Sequence, residues 1–244
     1  IGAQTLIENI NFSVYPKQVI GIIGDNGCGK SSLFAMIQAY LEPAQGRIEW
    51  QNNITIAALE QEVKALECSV LEHVLASDEN FFEIYQRLMR AQQENDGINI
   101  ALAYNDLSDI DGYSRESEAA TILHGLGFTN AQIALPISEF SGAWRMRASL
   151  ARALFAPGDI LLLDEPNNHL DMEGIIWLEK FIKQYPGAIL MISHDQALLD
   201  NTVTDIMHIS QKSWHHYHGN YSNFQMQRAQ NIQHQQAQYQ KQQK

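Results

Sequence analysis

Long apolar runs are missing from this 244-residue chain. No stretch approaches the roughly 18 consecutive apolar residues of a membrane helix, so no direct insertion into a bilayer is expected. Cysteine is scarce. Cys28 and Cys68 are the two present, and the first sits in a glycine-rich loop, so a disulfide framework is excluded and a cytoplasmic location is expected. Positive charge is also short, with 16 Lys and Arg against 28 Asp and Glu for a formal net charge of −12. That balance repels polyanions and argues against a broad nucleic-acid footprint on this segment. No basic stretch followed by an apolar one precedes the first strand candidates, so no secretory signal is expected, and a start at Ile1 suggests a piece of a longer protein.

What is present is 45% hydrophobic residues, enough for a substantial core. Leu6 to Val14 alternate apolar and polar, which predicts an antiparallel edge strand leading to the apolar strand Val19 to Ile23. A loop over Gly24 to Gly29 precedes Lys30 to Tyr40, where Leu33, Ile37 and Leu41 recur at helical spacing. A short strand is expected near Ile54 to Leu59, then a helical subdomain over about 70–150, with breaks at Asp96-Gly97 and Asp111-Gly112. Beyond it the pattern alternates again: strand Ile160 to Leu163, helix Met172 to Gln184, strand Ala188 to Ile192, helix Gln196 to Asp200. Strands alternating with helices imply right-handed crossovers and a mainly parallel sheet with ligand loops at its carboxyl edge. The predicted fold class is α/β with a helical insertion, closed by short strands at Ile206 to Ile209 and Ser213 to Tyr217. After Asn223 the chain turns glutamine-rich; residues 1–223 read as one domain and 224–244 as the start of an interdomain helical linker.

Gly24-Asp25-Asn26-Gly27-Cys28-Gly29-Lys30-Ser31 fits G-x-x-x-x-G-K-[ST] between a predicted strand and a predicted helix, with Ser32 following. Such a loop wraps a phosphate chain in backbone N–H groups at a helix amino terminus; Lys30 reaches the β and γ phosphates, and Ser31 can ligate magnesium. ATP with Mg2+ is the expected ligand. The apolar strand Ile160 to Leu163 ends in Asp164-Glu165, so Asp164 can hold magnesium through water and Glu165 can orient an attacking water. Adjacent carboxylates are common at strand ends, and the phosphate loop is what gives this pair its meaning.

Ser141-Gly142-Ala143-Trp144-Arg145-Met146-Arg147 resembles the ABC signature in its ABC-F form, usually Ser-Gly-Gly-Trp-Arg-Met-Arg. Asn168-His169-Leu170-Asp171 is similar to the family's D-loop, Ser193-His194-Asp195 to its switch histidine, and Gln61 to its Q-loop glutamine. With Gly219-Asn220-Tyr221-Ser222, the match is to the first ATPase domain of bacterial ABC-F proteins. The resemblance implies a P-loop NTPase of ABC type whose ATP is sandwiched between two domains. One domain supplies the phosphate loop and the other the signature residues Ser141, Gly142 and Ala143. It further implies that His194 contacts the γ-phosphate, that Gln61 senses magnesium and water, and that the partner is a second ABC domain of the parent chain or a dimer mate. The parent is expected at the ribosome or its tRNA. A transporter's ATP-binding subunit is the alternative, and a nucleotide-gated binding module with little turnover is another.

Two departures stand out. Ala143 replaces the second signature glycine, which would weaken closure if that position needs positive φ or if the backbone there must touch the phosphate, and Asn167 stands where the family has threonine. The family's adenine-stacking aromatic has no counterpart near Ile1. His215, His216 and His218 invite a metal reading, but no carboxylate or cysteine lies close in sequence, so a plain hairpin is expected. Cys28 is expected to be incidental, and the acidic residues between Asp78 and Asp96 a solvated face.

Overall fold

The computed structural model describes residues 7, 8, 10–61, 64–210 and 212–242. The chain forms two compact units, Ile1–Ile54 with Leu162–Asn167 and Glu179–Lys244, and Thr55–Leu161 with Asn168–Leu178.

The first unit is built on β1 (Val19–Gly24), whose Val19, Ile20 and Ile22 are buried. On one side β1 runs parallel to β4 (Ala188–Ile192), pairing Val19 with Ile189; on the other it runs parallel to β5 (Asp205–Ser210), pairing Ile20 with Asp205. β4 is buried throughout and reads as the unbroken apolar run expected of a strand covered on both faces. β3 (Ile160–Asp164) flanks β4, and its last three residues belong to this unit. The far edge is β6 (Ser213–His218), antiparallel to β5 with Asp205 opposite His218. Helices α1 (Lys30–Ile37) and α9 (Gln196–Thr202) follow β1 and β4. The fold class is thus α/β, mainly parallel, with an antiparallel edge pair.

That edge is not where the amino-terminal alternation placed it. Ile10, Phe12 and Val14 are half-buried and Asn11 and Ser13 exposed, so the period of two survives over residues 10–14, with Ile7 and Glu8 out of phase, yet none of the described residues there is in a strand; Leu6 and Asn9 lie outside them. The segment is held instead by Glu8 N–H donating to the Lys212 carbonyl (2.7 Å) and by Phe12 packing on Trp214. Side-chain burial set the alternation without a backbone ladder. Helix α1 also stops short of Tyr40, because Ala39 takes a left-handed φ of 59° and Tyr40 is exposed.

In the second unit, β2 (Ile56–Ala58) begins beside the start of β3, where the Asp159 carboxylate accepts both the N–H and the hydroxyl of Thr55 at 2.9 Å. Helices α2 (Val70–Leu75), α3 (Glu79–Glu94), α4 (Gly97–Asp109), α5 (Arg115–Gly125), α6 (Asn130–Ile133) and α7 (Gly142–Phe155) follow. Their boundaries are chemical. Ser69 and Glu72 form a capping box on α2; Asn95 ends α3 at φ 54°, and Asp96 caps α4 through Ile98 N–H and Asn99 N–H. Arg115 ties the helices together: it lies 3.9 Å over the Phe155 ring and donates to the Asp78 carboxylate (2.8 Å) and the Phe155 carbonyl (3.1 Å). Helix α8 (Met172–Gln184) starts in this unit and ends in the first.

The glutamine-rich segment belongs to α10 (Tyr221–Gln242), whose Phe224 is buried against His208 and Tyr217. No helix of the described residues is long and apolar enough to cross a membrane.

Candidate functional site

The carboxyl end of β1 delivers the chain into the loop between Gly24 and Lys30. At Gly24 a Cβ would fall 2.5 Å from the Ile209 carbonyl oxygen, so only hydrogen fits. Gly27 (φ 77°) and Gly29 (φ 109°) take left-handed backbone, the second at the start of α1. Asp25, Asn26 and Gly27 are exposed, Cys28 and Ser32 half-buried, Gly29 buried. Lys30 is also buried, and its ammonium curls back to donate to the carbonyls of Gly24 (2.8 Å) and Asp25 (3.1 Å). The cation is thereby held over the loop whose N–H groups and helix terminus favour an anion.

The end of β3 comes to the same place. Ser31 Oγ lies 3.4 Å from Asp164 Oδ2, which sets a hydroxyl beside a carboxylate. One residue on, Glu165 takes φ 49°, a left-handed conformation that costs a non-glycine residue on the order of 1 kcal/mol or more. Its N–H donates to the Ile192 carbonyl at 2.8 Å, and this tie to the end of β4 sustains the bend. The side chain turns toward the switch loop: Oε2 accepts the His194 N–H at 3.4 Å, while Oε1 is buried without a hydrogen-bond partner, 3.7 Å from His194 Nε2. Burial pushes the Glu165 carboxyl above the ordinary range, and Asp164 adds to this, against the lowering pull of His194 and Lys30.

Asn167 now has a structural account. Its Oδ1 accepts the Ser193 hydroxyl at 3.2 Å, and that hydroxyl in turn accepts Asp195 N–H at 3.0 Å, so the loop after the carboxylate pair is pinned to the loop carrying His194. Asp195 then caps α9 through Ala197 N–H and Leu198 N–H. The first unit therefore gathers the phosphate loop, Asp164, Glu165 and His194.

Gln61 and the signature residues belong to the second unit. Gln61 is exposed just beyond β2, next to Glu60, whose carbonyl accepts the Ser149 hydroxyl at 3.0 Å. Ser141 stands at the start of α7 with no side-chain cap bond, and Ser141, Gly142 and Ala143 are all exposed. Ala143 is the second residue of α7 and has no positive φ, so its methyl group carries no left-handed backbone penalty in this conformation. The rest of the motif is scaffold. Trp144 packs on Phe128 with centroids 4.8 Å apart, and Arg145 donates to the carbonyls of Ile137 and Ser138. Arg147 stacks on Trp144 and donates to the His169 carbonyl (2.7 Å), the Leu126 carbonyl (3.1 Å) and the Asp171 carboxylate (3.2 Å). It joins the signature helix to the loop before α8.

The family described as ABC transporter matches residues 7–168, and a second family of the same description matches residues 207–244. The chain belongs to the ABC family. Among curated relatives of this ABC domain, a probable ATP-binding protein, YheS, of Haemophilus influenzae is 43% identical over 242 residues, covering 99% of this chain and 38% of that protein. ATP-binding cassette sub-family F member 3 of Homo sapiens is 35% identical over 254 residues, covering 99% of this chain and 34% of that protein. Such kin place the ABC domain in the ABC-F branch, and the chain spans little more than a third of their length. Among solved structures, the ATP-binding subunit of an ABC transporter superposes with a TM-score of 0.70 at 18% identity, covering 94% of this chain and 89% of that one. This last likeness concerns the fold. As an ABC domain the chain binds ATP.

Proposed function

We propose that this ABC domain is one half of a two-domain ATPase that hydrolyses the β–γ bond of ATP. The observation that carries the reading is Glu165, a half-buried carboxylate with one unpartnered oxygen, beside His194 and one residue from the Asp164–Ser31 pair. A carboxylate made more basic by burial is suited to orient a water and take its proton, which is most of what phosphoryl transfer asks of a protein. Lys30 meets the β and γ phosphates, the loop N–H groups of residues 25–32 wrap them, and His194 contacts the γ-phosphate.

The Ser31 hydroxyl and the Asp164 carboxylate, 3.4 Å apart, are hard oxygen donors that suit magnesium, and the family resemblance adds Gln61 to them. When bound, the ion neutralises charge on the phosphates. Ser141 and the N–H groups that open α7 have no intrahelical acceptors; they face the γ-phosphate held by a second ABC domain, in the parent chain or in a dimer mate. Residues 224–244 begin the helical linker between such domains. Kinship with ABC-F proteins supports a cytoplasmic parent acting at the ribosome or its tRNA, in the regulation of translation.

Two experiments separate the chemistry from the cellular role. Glu165→Gln, with its counterpart changed in the second domain, should leave the parent holding ATP with phosphate release reduced about a hundredfold or more. The same protein should co-sediment with ribosomes when ATP is present; co-sedimentation no better than without ATP contradicts the ribosomal role and leaves the ATPase reading standing.

A further inference from the structure

The histidines of β6 acquire on folding the carboxylate that they lack in sequence. Antiparallel pairing sets Asp205 directly opposite His218, and the pleat puts His216, two residues earlier, on the same face. Asp205 Oδ1 lies 2.7 Å from His218 Nδ1 and 3.0 Å from His216 Nε2, and the three ligand atoms all fall within 4.8 Å of one another. The other oxygen of Asp205 is already occupied. Oδ2 accepts the Thr204 hydroxyl at 2.8 Å and the Gln18 amide at 3.4 Å, so the carboxylate is buried, oriented and presents one oxygen to the two rings.

We propose that Asp205, His216 and His218 form a binding site for a divalent transition-metal ion of the zinc class, with a fourth position open to water. Two imidazoles and a carboxylate are the borderline donors this class prefers. Tetrahedral ligands at bond lengths of about 2.0–2.1 Å stand roughly 3.3 Å apart, so the two nitrogens must draw back from Asp205 Oδ1 by about 0.6 Å for His218 and about 0.3 Å for His216. The side chains that must move are the free ones: His218 is 83% exposed and His216 36%, against 6% for Asp205. Thr204 and Gln18 supply the outer hydrogen bonds that fix a metal-ligating carboxylate. The ion would staple the edge strand β6 to β5.

The rival arrangement is a hydrogen-bonded staple that holds no ion, and metal titration tells the two apart. The full chain, free of any histidine tag, is titrated with Co2+, followed by visible d–d absorption, and then challenged with Zn2+. The expected result is saturation at one ion per chain, displaced by Zn2+. His216→Ala and His218→Ala should each weaken binding about tenfold or more, while His215→Ala, opposite His208 in the register, leaves it unchanged. Asp205→Asn should abolish the signal, and the two histidine variants decide the matter if it does not fold. No saturable binding, or equal binding by the His216→Ala/His218→Ala double variant, overturns the proposal.

Discussion

Glu165 shows how a single residue can be legible in identity and illegible in conformation. The apolar strand ending in two carboxylates marks it in the sequence, but the left-handed φ, the buried Oε1 and the tie to Ile192 arise only once β3 and β4 lie side by side. The same holds at Asn167, whose bond to Ser193 spans 26 residues, and at Lys30, whose two carbonyl partners come from the loop itself. Because burial raises its pKa, Glu165 should be protonated before an ordinary carboxylate as pH falls. The acid limb of ATP turnover should accordingly lie above pH 4.5, the free-carboxylate value, in a pH–rate profile of the parent. A raised carboxyl pKa also means that the folded state binds the proton more tightly, so its ionisation costs stability as pH rises. Glu165→Gln should therefore raise the urea midpoint at neutral pH, and the gain should shrink below the raised pKa.

Elements were readable wherever side-chain period and backbone agreed. Val19 to Ile23, Ile160 to Leu163 and Ala188 to Ile192 read as strands because both faces are covered, and Asp96-Gly97 marked a true helix break because Asp96 caps α4. The amino-terminal segment misled because alternation reports burial alone, and the Asp205–His216–His218 group escaped because its members meet across a strand pair. The scaffolding role of Arg147 was hidden too: its partners on residues 126, 169 and 171 are remote in sequence. Arg147→Ala should cost roughly 2–3 kcal/mol, since it removes three charge-assisted bonds and a stacking contact; a urea midpoint equal to wild type would contradict the anchoring role. On α2, burial and nearby Arg152 push the pKa of His73 down to about 4. The unfolded chain therefore takes up that proton first, and stability falls as pH drops from about 6.5 toward 4. In His73→Leu the difference between urea midpoints at pH 7 and pH 5 should narrow.

At the scale of the whole molecule, the proposed function assigns the chain two kinds of anion site, one in each unit. The first holds a phosphate loop with its carboxylates; the second presents an uncapped helix start at Ser141. On that proposal one chain supplies complementary halves of two nucleotide sites, and its relatives are more than twice its length. On the proposed function, the amides of residues 25–32, with the Lys30 ammonium, receive the triphosphate. Calorimetric titration of the chain with Mg-ATP tests it most directly. Wild type should bind one equivalent, and Lys30→Ala, having lost a charged contact, should bind about tenfold or more weakly; equal affinity for the two proteins would contradict the account.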